Sequence, residues 1–600
     1  MLDKINKIIT SKMVMVCGII LMAFWGTSLL QTDAFYVNYL LIICLASACI
    51  YYNYKNGELT KIHTGFDALL VRIFALAFTI MVAASNYIMW AIVIGYSVEN
   101  GMDYIPYQYD IPSVHFFLKL LIFFGGGYYA FWNILNAVKT KLDSLNYERT
   151  EHSLDPKKVF IISFIVLLVT RLFVLFVCQY PGEVTPDSVM QVDQIMKGEY
   201  TNHHPFYHTM VINACMSLGM LIFNNINAGV ATYSVFQILF TSLCFSYLLS
   251  TIATLKPPKW ILILSILFFV LMPYHIIYPM TMWKDIMYAC FVLFSVIAIF
   301  RCINNIGKTS TNHIVIVIGS IGSCLFRSNG LFTFVLTTIS FYLLWKSKYK
   351  KILILMLSSI AVGLVMKYGV LRILNVPQPD IVESLSVPLQ QVARVAHDAP
   401  DLDQKEKEEL GDILDYDHGF YMYMSHISDP IKSAVRDKGG IKKLLEDPGK
   451  YIKLYFTLGL KYPASYVLAW IDLTKGYWNA GYEYYRWRLE VYYNDHGMEK
   501  LVLNENLNNA FLMYVWLFSN VHLLKLFLSI GLFVWIDLVL LLIAILKKDK
   551  MGIFMTFPVI AIVISLLITT PVYAEFRYIY TAFCILPFTC AVVFRPTENK

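Results

Sequence analysis

The sequence predicts an all-α polytopic membrane protein with about 14 transmembrane helices, and three observations carry that expectation. Hydrophobic residues make up 58% of the 600 and charged residues only 15%, far from the balance of a soluble domain. Apolar runs of about 20 residues, enough to cross roughly 30 Å of hydrocarbon, recur along most of the chain. Lipid offers no water to an exposed backbone, so each crossing segment must bond within itself, which selects helix over open strand. A formal charge of +7 is too modest for a nucleic-acid partner, and the lysines and arginines cluster at the ends of apolar runs. Most of the eleven cysteines lie inside those runs, where they act as small hydrophobes. None falls in 372–508, so neither a disulfide framework nor a CxxC zinc site is legible.

The start, "MLDKINKIITSKMVMVCGIILMAFWG", resembles a signal peptide but lacks a small-x-small cleavage site, which predicts a retained first helix. Spans are expected at 13–30, 34–53, 68–96, 113–136, 159–179, 229–252, 260–275, 282–300, 312–327, 330–346, 351–371, 520–546, 551–570 and 577–594. Basic loops favour the cytoplasm. With a cytoplasmic N-terminus, "YKNGELTKIH", "KTKLDSLNYERTEHSLDPKK", "LKPPK", "RCINNIGKTS", "WKSKYKK" and "KKDK" all fall inside. That parity requires "HTMVINACMSLGMLIF" (208–223), at about 16 residues, to be re-entrant or interfacial rather than spanning.

Four regions follow: 1–150, an N-terminal four-helix membrane region; 151–371, a membrane core with its first large outer loop at 180–208; 372–509, one extracytoplasmic, mostly helical segment; and 510–600, the C-terminal spans. In the third, Pro388 sits in a first turn before "LQQVARVAHD", and Asp403 precedes Glu406 by three residues as a capping box. Its aromatic stretch "YWNAGYEYYRWRLEVYY" is expected on the membrane surface or along a groove.

Residues with chemistry collect in the loops assigned outward. "YPGEVTPDSVMQVDQIMKGEYTNHHPFYH" brings four carboxylates and three histidines to one loop. Glu183 and Asp187 follow a span closely, where a boundary carboxylate can gain basicity, or can be an ordinary solvated acid. Asp187 is preferred because "TPDS" favours a fixed turn. His203 and His204 could orient a phosphate or hydroxyl; as neighbours they form a weak metal signature, and with the acids they permit a divalent metal (Mg or Mn) without demanding one. Lys284 and Asp285 open a span after Trp283, where lysine can simply snorkel and aspartate can simply favour a helix start. Arg327 in "FRSNG", with Glu575, Arg577 and Tyr578 in "EFRYIY", faces the same boundary, and arginine suits an anionic head group. Arg171 and Asp537 lie within apolar runs, and a mutual pair would relieve the roughly 2.5–3.5 kcal/mol each faces on insertion.

These motifs together resemble the GT-C membrane glycosyltransferase superfamily and, more narrowly, bacterial DUF6020-type proteins, through "YPG…DS…Q…HHP", "WKD", "FRSNG", "PLQQVAR" and "EFRYIY" over 159–594. The resemblance implies a GT-C-like core in a bacterial plasma membrane, with an extracytoplasmic site. It implies a polyprenyl-phosphate sugar donor and a glycan, glycolipid or cell-wall acceptor. Asp187 matches the catalytic acid, with Glu183 as fallback, and Asp285 the second acid of some members. Arg327 and Arg577 match donor-phosphate ligands, with Lys284 beside them. The loop holds no adjacent Asp-Asp pair of the kind found in some protein mannosyltransferases, which points away from protein hydroxyls.

Such an enzyme would invert the anomeric carbon, with Asp187 as general base and the cations stabilising the departing phosphate. Two rivals compete. A transporter or flippase of a lipid-linked precursor would place charge at midmembrane, often in repeated halves. A phosphate transferase would need a nucleophile and metal ligands in the outer segment.

Overall fold

The computed structural model describes residues 2–29, 36–59, 61, 64–86, 97–99, 102–104, 114–150, 154–399, 402–414, 423–481 and 487–596. Among the described residues the chain is mostly helical, and the one strand pair is a short hairpin of Ser97–Glu99 with Met102–Tyr104. The N-terminal helices are α1 (Leu2–Leu29), α2 (Tyr36–Lys55), α3 (Phe66–Ser85) and α4 (Val114–Thr140). The core follows with α5 (Pro156–Val177), α6 (Pro186–Lys197), α7 (Phe206–Phe223), α8 (Ile226–Thr254), α9 (Lys259–Leu271), α10 (Pro273–Ile277), α11 (Lys284–Ile303), α12 (Thr309–Leu325), α13 (Gly330–Trp345) and α14 (Lys350–Leu364). A π-helical turn at 365–370 continues α14 into α15 (Leu371–Ile373). The third region contributes α16 (Ser386–Asp398), α17 (Gln404–Gly411), α18 (Asp429–Asp437), α19 (Gly440–Glu446), α20 (Pro448–Lys461) and α21 (Pro463–Trp478). The chain ends with α22 (Glu505–Asn520), α23 (His522–Lys525), α24 (Ile530–Leu546), α25 (Lys550–Thr569) and α26 (Tyr580–Val593).

Among the described residues, eight helices are long and apolar enough to cross a membrane, or up to ten if two bent pairs each count as one. The expected 14 is therefore not reached by length and apolarity. Part of the shortfall has identifiable causes. The runs 312–327, 330–346 and the second half of 520–546 become helices of 17, 16 and 17 residues. The run 260–275 bends by 67° between α9 and Pro273–Met280. The predicted extension over 87–96 and the aromatic residues 482–486 lie outside the described residues.

The two ends of the bundle differ in charge. At one end Thr150 N–H donates to Lys256 O (3.0 Å) and Tyr147 N–H to Phe594 O (3.0 Å). Arg301 Nη1 donates there to Thr251 Oγ1 (3.0 Å), and Arg595 Nη2 to Asp549 Oδ1 (2.8 Å). These bonds bring together four of the six basic loops that the positive-inside pattern grouped: those near residues 147–150, 256, 301 and 549. At the other end Ser234 Oγ donates to Pro181 O (2.8 Å), and Gln237 Nε2 donates to Tyr278 O (3.0 Å) and Thr281 O (2.6 Å). Thus α5 and α8 run antiparallel over the full height, and the acid-rich loop crosses the non-basic end.

By length and apolarity alone α7 qualifies as a span. Its pairing with α8 keeps both its ends at the acid-rich end. His208 meets Tyr233 at 2.7 Å, while Gly219 packs beside Ala228 and Gly229. A turn at Asn224 (φ 49°) and Asn225, which caps α8, closes this antiparallel hairpin.

Arg171 and Asp537 do not pair, contrary to expectation. Arg171 Nε donates to His275 O (2.9 Å) and Nη1 to Ser242 Oγ (2.9 Å). The bend after α9 breaks the helical ladder and leaves carbonyls open, and the buried guanidinium satisfies one of them.

The third region has a core of its own around Val382, Leu389, Leu410, Ile431, Val435 and Leu458. Pro388 lies in the first turn of α16, and the Asp403–Glu406 capping box forms in both directions (2.8 and 3.1 Å). The region latches onto the bundle where Ser428 N–H donates to Pro571 O (2.8 Å) and Trp470 Nε1 to Leu567 O (2.8 Å). Past 486, its strand-like tail lines the acid-rich loop: Tyr492 N–H donates to Val184 O and Leu501 N–H to Tyr180 O, both at 2.8 Å.

Gly182 holds that loop in place at φ +116°, a left-handed value that glycine alone adopts freely, and a Cβ there would collide with Ser234 Oγ and Met280 O. Gly182→Ala is expected to destabilise by about 3 kcal/mol. Thermal unfolding in detergent checks this, and an unchanged melting temperature would show that the loop is not so constrained.

Candidate functional site

The site begins with the turn that launches α6. Thr185 N–H donates to Ser188 Oγ (3.1 Å), closing the first turn, and Ser188 Oγ donates onward to Met282 O (2.8 Å). Trp283 Nε1 donates to Thr185 Oγ1 (2.8 Å). The "TPDS" turn is thereby fastened to "TMWKD", and Asp187 is brought beside the start of α11.

Asp187 accepts from Arg577 Nη1 at 2.6 Å, and Lys284 Nζ lies 3.6 Å away. Lys284 Nζ also donates to His204 Nδ1 (3.0 Å). Arg577 Nε approaches Glu575 Oε1 at 3.2 Å. Arg327 Nε approaches Asp285 Oδ1 at 3.3 Å, and Arg327 Nη1 donates to Tyr578 O (2.7 Å). The Tyr578 ring lies beneath both guanidiniums, 4.8 Å from Arg327 and 5.3 Å from Arg577, and Trp283 lies 4.8 Å from Arg577. Eight of the residues singled out in the sequence, His204 and Asp187 together with Lys284, Asp285, Arg327, Glu575, Arg577 and Tyr578, thus form one cluster of three acids and three cations.

Burial alone would raise Asp187, but the adjacent Arg577 and Lys284 override it and hold the carboxyl well below the usual range. Burial, reinforced by Lys284, keeps the His204 imidazole neutral far below its ordinary value. Glu575 is pushed up to about 7 by burial, although Arg577 opposes the shift. Asp187 remains the most open of the three acids, with 28% of its side chain exposed against 1% for Asp285. Four buried polar atoms of the cluster, His204 Nε2, both Asp285 oxygens and Arg577 Nε, have no well-aligned hydrogen-bond partner among the described residues. Native proteins rarely leave such atoms unmatched, and sites that do are strained, hold a water or ion, or act on a ligand.

Other predicted residues go elsewhere. Glu183 is not brought into the cluster. Its carboxylate accepts from Thr281 Oγ1 (2.8 Å) and Leu489 N–H (2.9 Å), tying the loop to "YPMTMWKD" and to the tail of the third region. It therefore holds the loop rather than facing Asp187. His203 is exposed, with its ring 4.8 Å from that of His204. It feels Glu383 and Arg436, members of a second charged group in which Arg436 Nε donates to Asp380 (2.8 Å) and Lys432 Nζ to Glu383 (2.9 Å). His208 bonds Tyr233 and Gln191 inside the fold. Among the described residues, no group of three His, Cys, Asp or Glu side chains is placed to hold a metal ion, so the Mg or Mn option finds no ligand set.

Two contributors were not singled out in the sequence. The π-helical turn after α14 carries Lys367, whose Nζ donates to Ser328 O (2.6 Å); with Arg327, Ser328 and Asn202 it lines a pocket beside the cluster. Lys367 is the one charge between Ile352 and Val370, which was the available signal. Tyr477 Oη, from α21, accepts from Glu575 N–H (3.0 Å) and donates to Val572 O (2.7 Å), fixing the loop that carries Glu575 and Arg577.

Residues 196–600 match a family model described as a family of unknown function (DUF6020). The chain belongs to this family. The matched region carries every member of the cluster except Asp187, which lies upstream of it. No curated protein and no solved structure matches the chain.

Glu183 provides a pH test. Burial raises its carboxyl from the ordinary 4.5 to about 7, so its contribution to stability is complete below about pH 4.5 and is lost as pH climbs through 7. The loss is on the order of 3 kcal/mol by pH 8. Glu183→Gln can still accept from Leu489 N–H and donate to Thr281 Oγ1. The variant should match wild type at pH 5 and melt higher at pH 8; a variant that melts lower at pH 8 would contradict the assignment.

Proposed function

We propose that this protein is an integral membrane glycosyltransferase of GT-C type, moving a sugar from a polyprenyl-phosphate donor to an acceptor hydroxyl with inversion. The supporting observation is the convergence of Lys284, Arg327 and Arg577 with Asp187, Asp285 and Glu575 at one end of an apolar bundle. In this reading the site faces the outside of a bacterial plasma membrane, in keeping with the basic loops gathered at the opposite end.

The donor already carries its leaving group. The bond between the anomeric carbon and the phosphate oxygen breaks, and its electron pair leaves with the phosphate. Arg327, Arg577 and Lys284 stabilise that growing charge. The acceptor oxygen attacks from the opposite face as Asp187 takes its proton. At rest Asp187 is a weak base because two cations hold it. A phosphate that competes for Arg577 and Lys284 relaxes that hold, so basicity rises only when donor is bound. Tyr578 supplies an aromatic face beside the cations, while the buried Trp283 backs Arg577.

A transporter or flippase of a lipid-linked precursor is the alternative, and buried charge within helices is what favours it. Arg171, however, is engaged by the His275 carbonyl and Ser242 rather than by a partner across a path.

Purified protein given a polyprenyl-phosphate sugar and acceptor glycan should release polyprenyl phosphate. Asp187→Asn should lower turnover by about 10³-fold while keeping the wild-type melting profile. Full activity of that variant removes Asp187 from the role, and no release with any such donor removes the reading.

A further inference from the structure

The third region exposes an apolar stripe that its own core does not explain. On α20, Ile452, Phe456 and Leu460 recur every four residues and so share one face. Leu445 precedes them and Val467 of α21 follows, and exposure across these five runs from 55% at Val467 to 85% at Leu460. The opposite face of α20 is used inside the region, where Tyr451, Leu454 and Leu458 are buried. A contiguous apolar strip of this kind on an otherwise polar region marks an interaction surface.

Two further observations identify what covers it. Residues 438–461 hold six lysines against two acids, and Lys442, Lys443 and Lys453 are exposed beside the stripe. Neighbouring charges reduce but do not cancel that excess: Lys450 bonds Asp412 (2.6 Å), Lys461 bonds Glu406 (2.8 Å), and Glu446 lies 3.7 Å from Lys442. The stripe also runs toward the membrane-facing surface of the bundle. One turn beyond Val467, Trp470 donates to Leu567 O in the last turn of α25, where Ile568 is 53% exposed. Trp470 and Leu468 pack there with Met81 and Ala84 at the end of α3. A tryptophan at the end of two spans marks the water–lipid boundary.

We propose that α20, with Leu445 and Val467, is a membrane-surface helix: its apolar stripe enters the leaflet at the site end of the bundle, and its lysines meet anionic phospholipid head groups. The third region is then held to the bilayer independently of its latches to the bundle, whatever reaction the cluster performs. An amphipathic helix with apolar and lysine-rich faces has the composition for that position.

A photo-crosslinking residue tests this in the full-length protein. p-Benzoylphenylalanine is placed at Phe456, at Leu460 and, as a control, at exposed Lys405 of α17, and each protein is reconstituted into nanodiscs of phosphatidylcholine or phosphatidylglycerol. Phospholipid adducts by mass spectrometry should be several-fold more abundant at 456 and 460 than at 405, and higher in phosphatidylglycerol. Adduct yields no higher than at 405, equal yields in the two lipids, or crosslinks joining two copies in native membranes would overturn the proposal. Because the substitution is aromatic for aromatic at Phe456, a shared fold is verified by its unchanged melting temperature.

Discussion

The Asp187–Arg577 ion pair joins residues 390 positions apart, and much of the site end of the fold exists to make that meeting possible. One partner rides on the first turn of α6, whose lead-in is fixed by Gly182, by the Glu183 carboxylate and by the Trp283–Thr185 bond. The other rides on the loop before α26, fixed by Tyr477 from the third region. Neither element is placed by membrane insertion alone. The loop across the bundle's end is closed by buried side chains of α8, with Tyr233 donating to Gln237 and Gln237 binding the carbonyls around Tyr278 and Thr281. A buried amide that left those carbonyls unmatched would impose a desolvation penalty of about 1–3 kcal/mol for each, which explains why polar side chains persist in so apolar a helix.

The third region therefore does more than sit on the bundle. Its tail pairs with residues 180–184, its α21 orients Glu575, and the charges of Glu383 and of Arg436 on α18 act on His203. Displacement of this region would loosen both halves of the ion pair together. The third region is thus hydrogen-bonded to the lead-in of α6 on one side of the ion pair and to the loop before α26 on the other.

Charge at the boundary was the part of the site most legible in the sequence. Lys284, Asp285, Arg327 and Arg577 stand at the edges of apolar runs, and the positive-inside pattern placed those edges together before any contact was known. What one-dimensional reasoning lacked was direction. Glu183 and Asp187 are four residues apart with similar local signals, yet Gly182 turns one carboxylate toward Thr281 while the first turn of α6 turns the other toward Arg577. Arg171 and Asp537 were matched because each lies within an apolar run, where a mutual pair would relieve the insertion cost. The pairing failed because a bent helix offers a guanidinium carbonyl oxygens, which periodicity does not reveal. The 14 expected spans are not all reached by length and apolarity, because α12, α13 and α24 have only 17, 16 and 17 residues and because α9–α10 breaks where the sequence reads as continuous. Local capping, by contrast, was fully legible at Asp403 and Glu406, because both partners lie within one turn.

The balance of charge in the cluster constrains what can bind there. Three acids face three cations, so a phosphate entering this group makes it net anionic in a poorly solvated place. One acid must then take up a proton or lose its share of a cation. Burial pushes Glu575 up to about 7, whereas Arg577 and Lys284 hold Asp187 well below the usual carboxylate range. An incoming anion therefore favours a proton on Glu575 rather than on Asp187, which would release Arg577 from one of its two carboxylates and leave that guanidinium shared between Asp187 and the ligand. Under the proposed reaction, this ordering keeps Asp187 ionised when it must act as a base. Glu575 and Asp187 are thus not redundant: burial raises the one, while the adjacent Arg577 and Lys284 depress the other.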